Sequence, residues 1–176
     1  MIDEFGVVAV GRSGGDAEES SQAAERSLNG AILRAEIARS YEEFLAIFEA
    51  FYADDVEVSR EDSPETVRGK EKVRALLYNF LAPLHIMAEI GGVLISLQQT
   101  AMPGDLPAET HSAWTLELVG ASGTTCTLKW RVFRKWLGPR VEYEHHYDYQ
   151  QSGEPLTSKD LSFHSADPAT SVQRPS

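Results

Sequence analysis

The chain has 176 residues, the size of one domain with or without tails. Its 27 Asp and Glu against 16 Lys and Arg leave a net charge of -11. That charge argues against nucleic acid or an anionic membrane as partner, since both require a basic face. A single cysteine, Cys126, excludes an intrachain disulfide framework and a cysteine-based zinc site. No apolar run reaches membrane-spanning length, and Met1-Ile2-Asp3-Glu4 lacks the basic flank of a signal peptide, so a cytoplasmic location is expected.

Residues 1–29 are acidic and read as a flexible or weakly helical extension. Asp16 is placed to cap a short helix through Leu28, closed by Asn29-Gly30. The domain proper is expected over 30–150, followed by a flexible tail over 151–176 that is rich in Ser, Pro and Thr. Within the domain, Leu33, Ile37, Tyr41, Phe44, Phe48 and Phe51 recur every three or four residues, which predicts one long amphipathic helix. Val56 and Val58 then alternate with polar residues as a short strand. Ser63-Pro64-Glu65 predicts a cap and a helical turn. A second stripe, Val73, Leu76, Leu77 and Phe80, is expected to end at Pro83.

Everything after Pro83 reads as strand. His85–Ile90 and Val93–Gln99 flank Gly91-Gly92 as a hairpin or a bent strand, and Met102–Pro107 is a loop. His111–Val119, Thr124–Trp136 and Val141–Tyr149 follow as antiparallel neighbours joined by short connections. The fold class is α+β, with helices on one face of the sheet. Alternation assigns Trp114, Leu116 and Leu118, then Cys126, Leu128, Trp130, Val132, Arg134 and Trp136, to the core face. On the last strand it groups Val141, Tyr143, His145, Tyr147 and Tyr149 against Glu142, Glu144, His146 and Asp148. His145, Arg134 and the tyrosine hydroxyls among apolar neighbours fit either satisfied core residues or a pocket wall.

Three stretches carry a resemblance: Phe51-Tyr52-Ala53-Asp54-Asp55-Val56-Glu57-Val58, Val67-Arg68-Gly69-Lys70-Glu71-Lys72-Val73-Arg74, and Val141-Glu142-Tyr143-Glu144-His145-His146-Tyr147-Asp148. Over residues 30–150 the chain resembles the nuclear transport factor 2-like superfamily, in particular its SnoaL-like polyketide cyclase and ketosteroid isomerase-like branch. The resemblance implies a cone of mixed, mostly antiparallel sheet wrapped round helices, a cavity for a small apolar or aromatic ligand, and a homodimer. Carried over from ketosteroid isomerases, the base position falls on Arg60 and the oxyanion carboxyl near Arg131. A permanent cation cannot replace either acid, so that activity is not expected.

SnoaL-like cyclases close rings by acid/base chemistry with no cofactor. Their acid on the last strand is matched by Asp148, with His111, His145 and His146 as proton partners. Trp114, Trp130, Arg134, Tyr143 and Tyr147 are the expected ligand-binding side chains. Strict alternation sets Asp148 opposite Tyr143 and His145, and a bulge near His145-His146 would be needed to turn it inward. The polar set Glu142, Glu144, His146, Asp148 and His111 could hold a hard cation, but the signal is weak, a solvated or dimer-facing surface accounts for it, and no metal is expected. His85, directly after a helix end, reads as a local hydrogen-bonding residue. A cofactor-free enzyme acting on a polycyclic or aromatic ketone, a non-catalytic ligand-binding protein and a protein-interaction module all remain compatible with these residues.

Overall fold

The helical periodicity resolves into three helices in a computed structural model that describes residues 13–90, 92–157 and Asp160. Helix α1 spans Ser13–Ala38, α2 Tyr41–Phe51 and α3 Lys70–Ile90. The long stripe is therefore cut in two rather than continuous. Arg39 takes a left-handed conformation at φ 51°, and Ser40 caps α2 by accepting a hydrogen bond from the Glu43 amide at 3.2 Å. Ser40-Tyr41-Glu42-Glu43 has the spacing of a capping box, which is what starts a new helix there. α1 also runs straight through Asn29-Gly30, across the expected boundary at residue 30. Glu25, Leu28 and Asn29 are fully buried on it.

Pro83 does not end α3. The apolar stripe continues past it through Leu84, which is buried, and Met87, which packs on the same cluster. Burial of that face outweighs the single hydrogen bond a proline removes. His85–Ile90 is accordingly helix rather than strand.

The six strands are β1 Tyr52–Arg60, β2 Ser63–Arg68, β3 Leu94–Pro103, β4 Glu109–Val119, β5 Thr125–Leu137 and β6 Arg140–Gly153. They form one sheet in the order β2-β1-β6-β5-β4-β3, antiparallel throughout except for the β1–β6 pair. The predicted helical turn at Ser63 is instead β2, an edge strand, where Pro64 costs no ladder bond. The sequence expectation for the final three strands holds within a few residues, and the sheet stays curled and unclosed over the helices.

Two bulges govern β6. Trp136 pairs with Val141 and Lys135 with Tyr143, so Glu142 is an extra residue and the facing parity flips. A second shift falls at Asp148, whose φ is 55°. The inward residues of β6 are consequently Val141, Glu144, His146 and Tyr149, which corrects the grouping of Tyr143, His145 and Tyr147 with the core.

Past β6, Asp160 is buried against the β4–β5 turn. Its carboxylate accepts hydrogen bonds from Ser122 and from the Thr157 amide and hydroxyl. Those bonds hold the Asp160 carboxyl well below the usual range. A Cβ at Gly120 would lie 2.5 Å from that of Asp160, so only glycine admits this approach. The rest of the expected flexible ends, over 1–12, 158–159 and 161–176, lies outside the described residues.

Candidate functional site

Between the helices and the inner face of the sheet lies a cavity of about 130 Å³. Leucines of α3, with Phe44, Ile47 and Phe48 of α2, form one wall. Leu97, Trp114, Leu116, Trp130 and Val132 form the other. Trp114 and Trp130, directly opposite each other in the β4–β5 ladder, stack with centroids 6.0 Å apart. Into this apolar space the sheet sends a few polar groups: Arg60, Tyr52, Arg134, Glu144, His146 and Tyr149, with Glu36 entering from α1.

The base of the site is an ion cluster removed from water. Arg134 on β5 donates from Nε to Glu144 Oε2 and from Nη1 to Glu25 Oε1, both at 2.7 Å, and to Asn29 Oδ1 at 3.0 Å. All three charged side chains are 1–2% exposed. Tyr52 donates its hydroxyl to Glu144 at 2.9 Å, and Thr110 donates to Glu25 at 2.8 Å. Among the described residues no buried side-chain polar atom is left without a partner. A cluster of this kind is tolerated in low dielectric only because its charged groups are paired and hydrogen-bonded to one another.

These charges set one another. Burial alone would raise the Glu144 carboxyl, but the Arg134 guanidinium, and then His146, hold it well below the usual carboxylate range. Burial pushes the Tyr52 phenol well up, and Glu144 pushes it further, so Tyr52 remains a donor. A carboxyl depressed on folding stabilises the native state above its unfolded value of about 4.3, and that stability is lost as the pH falls below it. Melting temperature is therefore expected to be level from neutral pH to about 5.5 and to drop progressively below about 4.5. A Glu144→Gln variant should lack much of that acid-side slope, and an identical slope in a calorimetric pH series would disprove the assignment.

At the cavity wall His146 Nε2 lies 2.6 Å from Glu144 Oε1. An ionised carboxylate only accepts, so Nε2 donates a proton in this bond. Nδ1 has no hydrogen-bond partner among the described residues. Arg60 pairs with His146 across the β1–β6 ladder, is held by Asp62 at 2.9 Å, and lies 5.9 Å from the Tyr149 ring centroid. Burial raises the Tyr149 phenol, although Arg60 works against the shift.

The predicted site residues divide between the faces. Trp114, Trp130, Arg134 and His146 border the cavity. Asp148 lies outside it, paired through Oδ2 with Arg131 at 3.2 Å, and both side chains are substantially exposed. The bulge does occur, but at Glu142 and Asp148, and it turns His146 inward instead of Asp148. His111, His145, Tyr143 and Tyr147 occupy the outer face. There His111 bonds Tyr147 at 3.0 Å, and Ser59 bridges Tyr143 and His145 at 2.8 and 2.7 Å. The polar set read as a possible cation site is split the same way, and no metal-ligand group of three or more is present among the described residues. Sequence reasoning missed Glu25, Asn29, Glu36, Tyr52 and Tyr149. An acid at 25 and an amide at 29, one helical turn apart in an otherwise polar stretch, were the available signal for the first two.

Three helices on a curled, unclosed six-strand sheet with a cavity between them make the nuclear transport factor 2-like fold, as the sequence resemblance implied. The chain is similar to a nuclear transport factor 2-like protein of unknown function from Cytophaga hutchinsonii ATCC 33406, with 12% identity, coverage of 72% of this chain and 97% of that one, and a TM-score of 0.50. It is similar also to a computationally designed 17-OHP binder, at 17% identity, 76% and 98% coverage and a TM-score of 0.50. A Delta 5-3-ketosteroid isomerase from Mycobacterium sp. aligns at 16% identity, 71% and 98% coverage and a TM-score of 0.43. No protein-family sequence model and no curated protein sequence matches the chain. Likeness at this level defines the fold, and chemistry must be argued from the side chains.

Proposed function

We propose that the cavity binds a rigid, apolar ketone and that side chains alone move protons on it, as in a cyclase, isomerase or dehydratase. One observation carries this reading: a histidine with a carboxylate-oriented ring, His146 on Glu144, at the wall of a mostly apolar cavity. His146 Nδ1 takes the proton from carbon beside the carbonyl, and Glu144 fixes the tautomer and balances the imidazolium. Arg60 and Tyr149 on the same wall supply donors for the developing enolate oxygen.

The test is a titration with polycyclic ketones followed by tryptophan emission, together with deuterium incorporation beside the carbonyl in heavy water. Trp114 and Trp130 in the wall make bound ligand visible. Ligand at 100 times its dissociation constant should add about 2.7 kcal/mol of stability. Binding with catalysed exchange supports the reading, binding without exchange reduces it to a ligand carrier, and no binding across the panel removes it.

We also propose that the outer sheet face meets a second copy of the chain. His111, Phe133, Tyr143 and Tyr147 form a half-buried aromatic group there, with the Lys135 ammonium 6.0 Å from the Phe133 ring centroid. Covering such a group removes apolar area from water. Sedimentation at micromolar concentration should give a dimer and Phe133→Glu a monomer; a monomeric wild type would refute the pairing.

A further inference from the structure

The bulge at Asp148 decides which chemistry the cavity wall receives. Arg131 of β5 pairs with Tyr147 and Lys129 with Gln150, so Asp148 and Tyr149 together oppose the single residue Trp130. Glu144 and His146 line the cavity, and strict alternation would send Asp148 in after them and leave Tyr149 outside. The extra residue reverses this. Tyr149 lines the cavity, and Asp148 lies on the outer face beside Arg131. A phenol rather than a carboxylate therefore stands next to Arg60, whose guanidinium carbon is 5.9 Å from the Tyr149 ring centroid.

This course of the chain is strained and is held from outside the cavity. Asp148 sits at φ 55°, a left-handed conformation that most residues avoid and that Asn and Asp tolerate. The β1–β6 ladder stops at the Arg60–His146 pair, after which the Glu61 amide donates to the His146 carbonyl at 2.9 Å. β1 has ended there, so the Asp148 N–H on the same edge has no strand to meet. Glu61 takes the place of that strand, its Oε2 accepting the Asp148 N–H at 2.7 Å. The Asp148 carboxylate is itself fixed on the outer face, accepting from Gln150 at 3.0 Å and pairing with Arg131 at 3.2 Å. Glu61 is exposed and does not line the cavity, so whatever it contributes there passes through the backbone of β6.

We propose that Glu61 is a positioning residue for this site: by holding the Asp148 bulge it turns Tyr149 into the cavity and keeps the Asp148 carboxylate out of it. The role of the phenol as a donor to the enolate oxygen rests on the ketone reading, whereas its placement rests on the geometry of β6 alone. Without the Glu61 carboxylate, the strain at Asp148 is relieved by a return to regular alternation, which withdraws the phenol from the wall.

The test uses the full chain labelled with fluorotyrosine, the Tyr149 resonance being assigned by its loss in Tyr149→Phe. Two quantities are followed: the solvent exposure of that resonance by fluorine NMR, and deuterium exchange beside the carbonyl of alpha-tetralone, a rigid bicyclic ketone. Tyr149→Phe should lower exchange roughly 100-fold, as expected for the loss of one donor to a developing oxyanion. Glu61→Ala should move the Tyr149 resonance toward that of a fully exposed fluorotyrosine and bring exchange to within a few-fold of the Tyr149→Phe level. The double variant should lose little more, because both changes remove the same group. Glu61→Gln, whose side-chain carbonyl still accepts the amide, should stay near wild type, as should Asp148→Asn, which tolerates the same φ. Asp148→Val, disfavoured at positive φ, should reproduce the resonance shift of Glu61→Ala. A Tyr149 resonance unmoved in Glu61→Ala, or losses from Glu61→Ala and Tyr149→Phe that multiply in the double variant, would overturn the positioning role. If wild type neither binds nor exchanges alpha-tetralone, the ketone reading fails for this probe, and the resonance by itself still decides whether Glu61 places Tyr149.

Discussion

Replacing Arg134 by methionine is expected to lower folding stability by about 3–5 kcal/mol, because it strands two buried carboxylates. Glu25 and Glu144 each lie 2.7 Å from the guanidinium and have almost no access to water. Without the cation, both must be protonated or the cavity floor must open. For a chain of this length the loss corresponds to roughly 10 °C or more in melting temperature. Combining Arg134→Met with Glu25→Gln and Glu144→Gln should recover most of it, since neutral groups carry no comparable desolvation cost. Urea unfolding of the three proteins measures both effects. A loss under about 1 kcal/mol in the single variant would mean that the cluster is far wetter than its burial indicates.

His146→Gln is expected to lower deuterium exchange into a bound ketone by about 100- to 10,000-fold, the usual contribution of a positioned acid/base group. Ketone affinity should change little, because the apolar walls and not the imidazole supply most of the buried contact. Asp148→Asn should leave exchange intact, as Asp148 pairs with Arg131 on the opposite face of the sheet. Single-turnover exchange followed by mass spectrometry separates the two variants. Undiminished exchange in His146→Gln would remove His146 from the mechanism, and a large loss in Asp148→Asn would relocate the chemistry to the outer face.

The contrast between those two residues marks where local sequence information runs out. Strands β4 and β5 were legible because every second residue faces inward, buried along β4 and buried or half-buried along β5, and this period of two is written directly in Trp114, Leu116, Leu118 and in Trp130, Val132, Arg134. β6 also alternates in sequence but carries an extra residue at Glu142 and another shift at Asp148, and each reverses the facing of the residues after it. No local pattern announces a bulge whose position depends on how the neighbouring strands align.

From its own residues the chain determined an acidic α+β domain, amphipathic helices ahead of a long antiparallel meander, and the apolar wall of a cavity. Those features rest on periodicity and turn chemistry, which act over a few residues. Tertiary structure decided the rest. It kept α1 helical through Asn29-Gly30 because Asn29 and Glu25 meet Arg134 more than 100 residues away. It carried α3 past Pro83 because Leu84 and Met87 have a core to bury in, and it set Glu36 beside His85 and His146 beside Glu144. A buried polar group is stable only where its partner is, and here those partners come from distant elements that folding alone brings together.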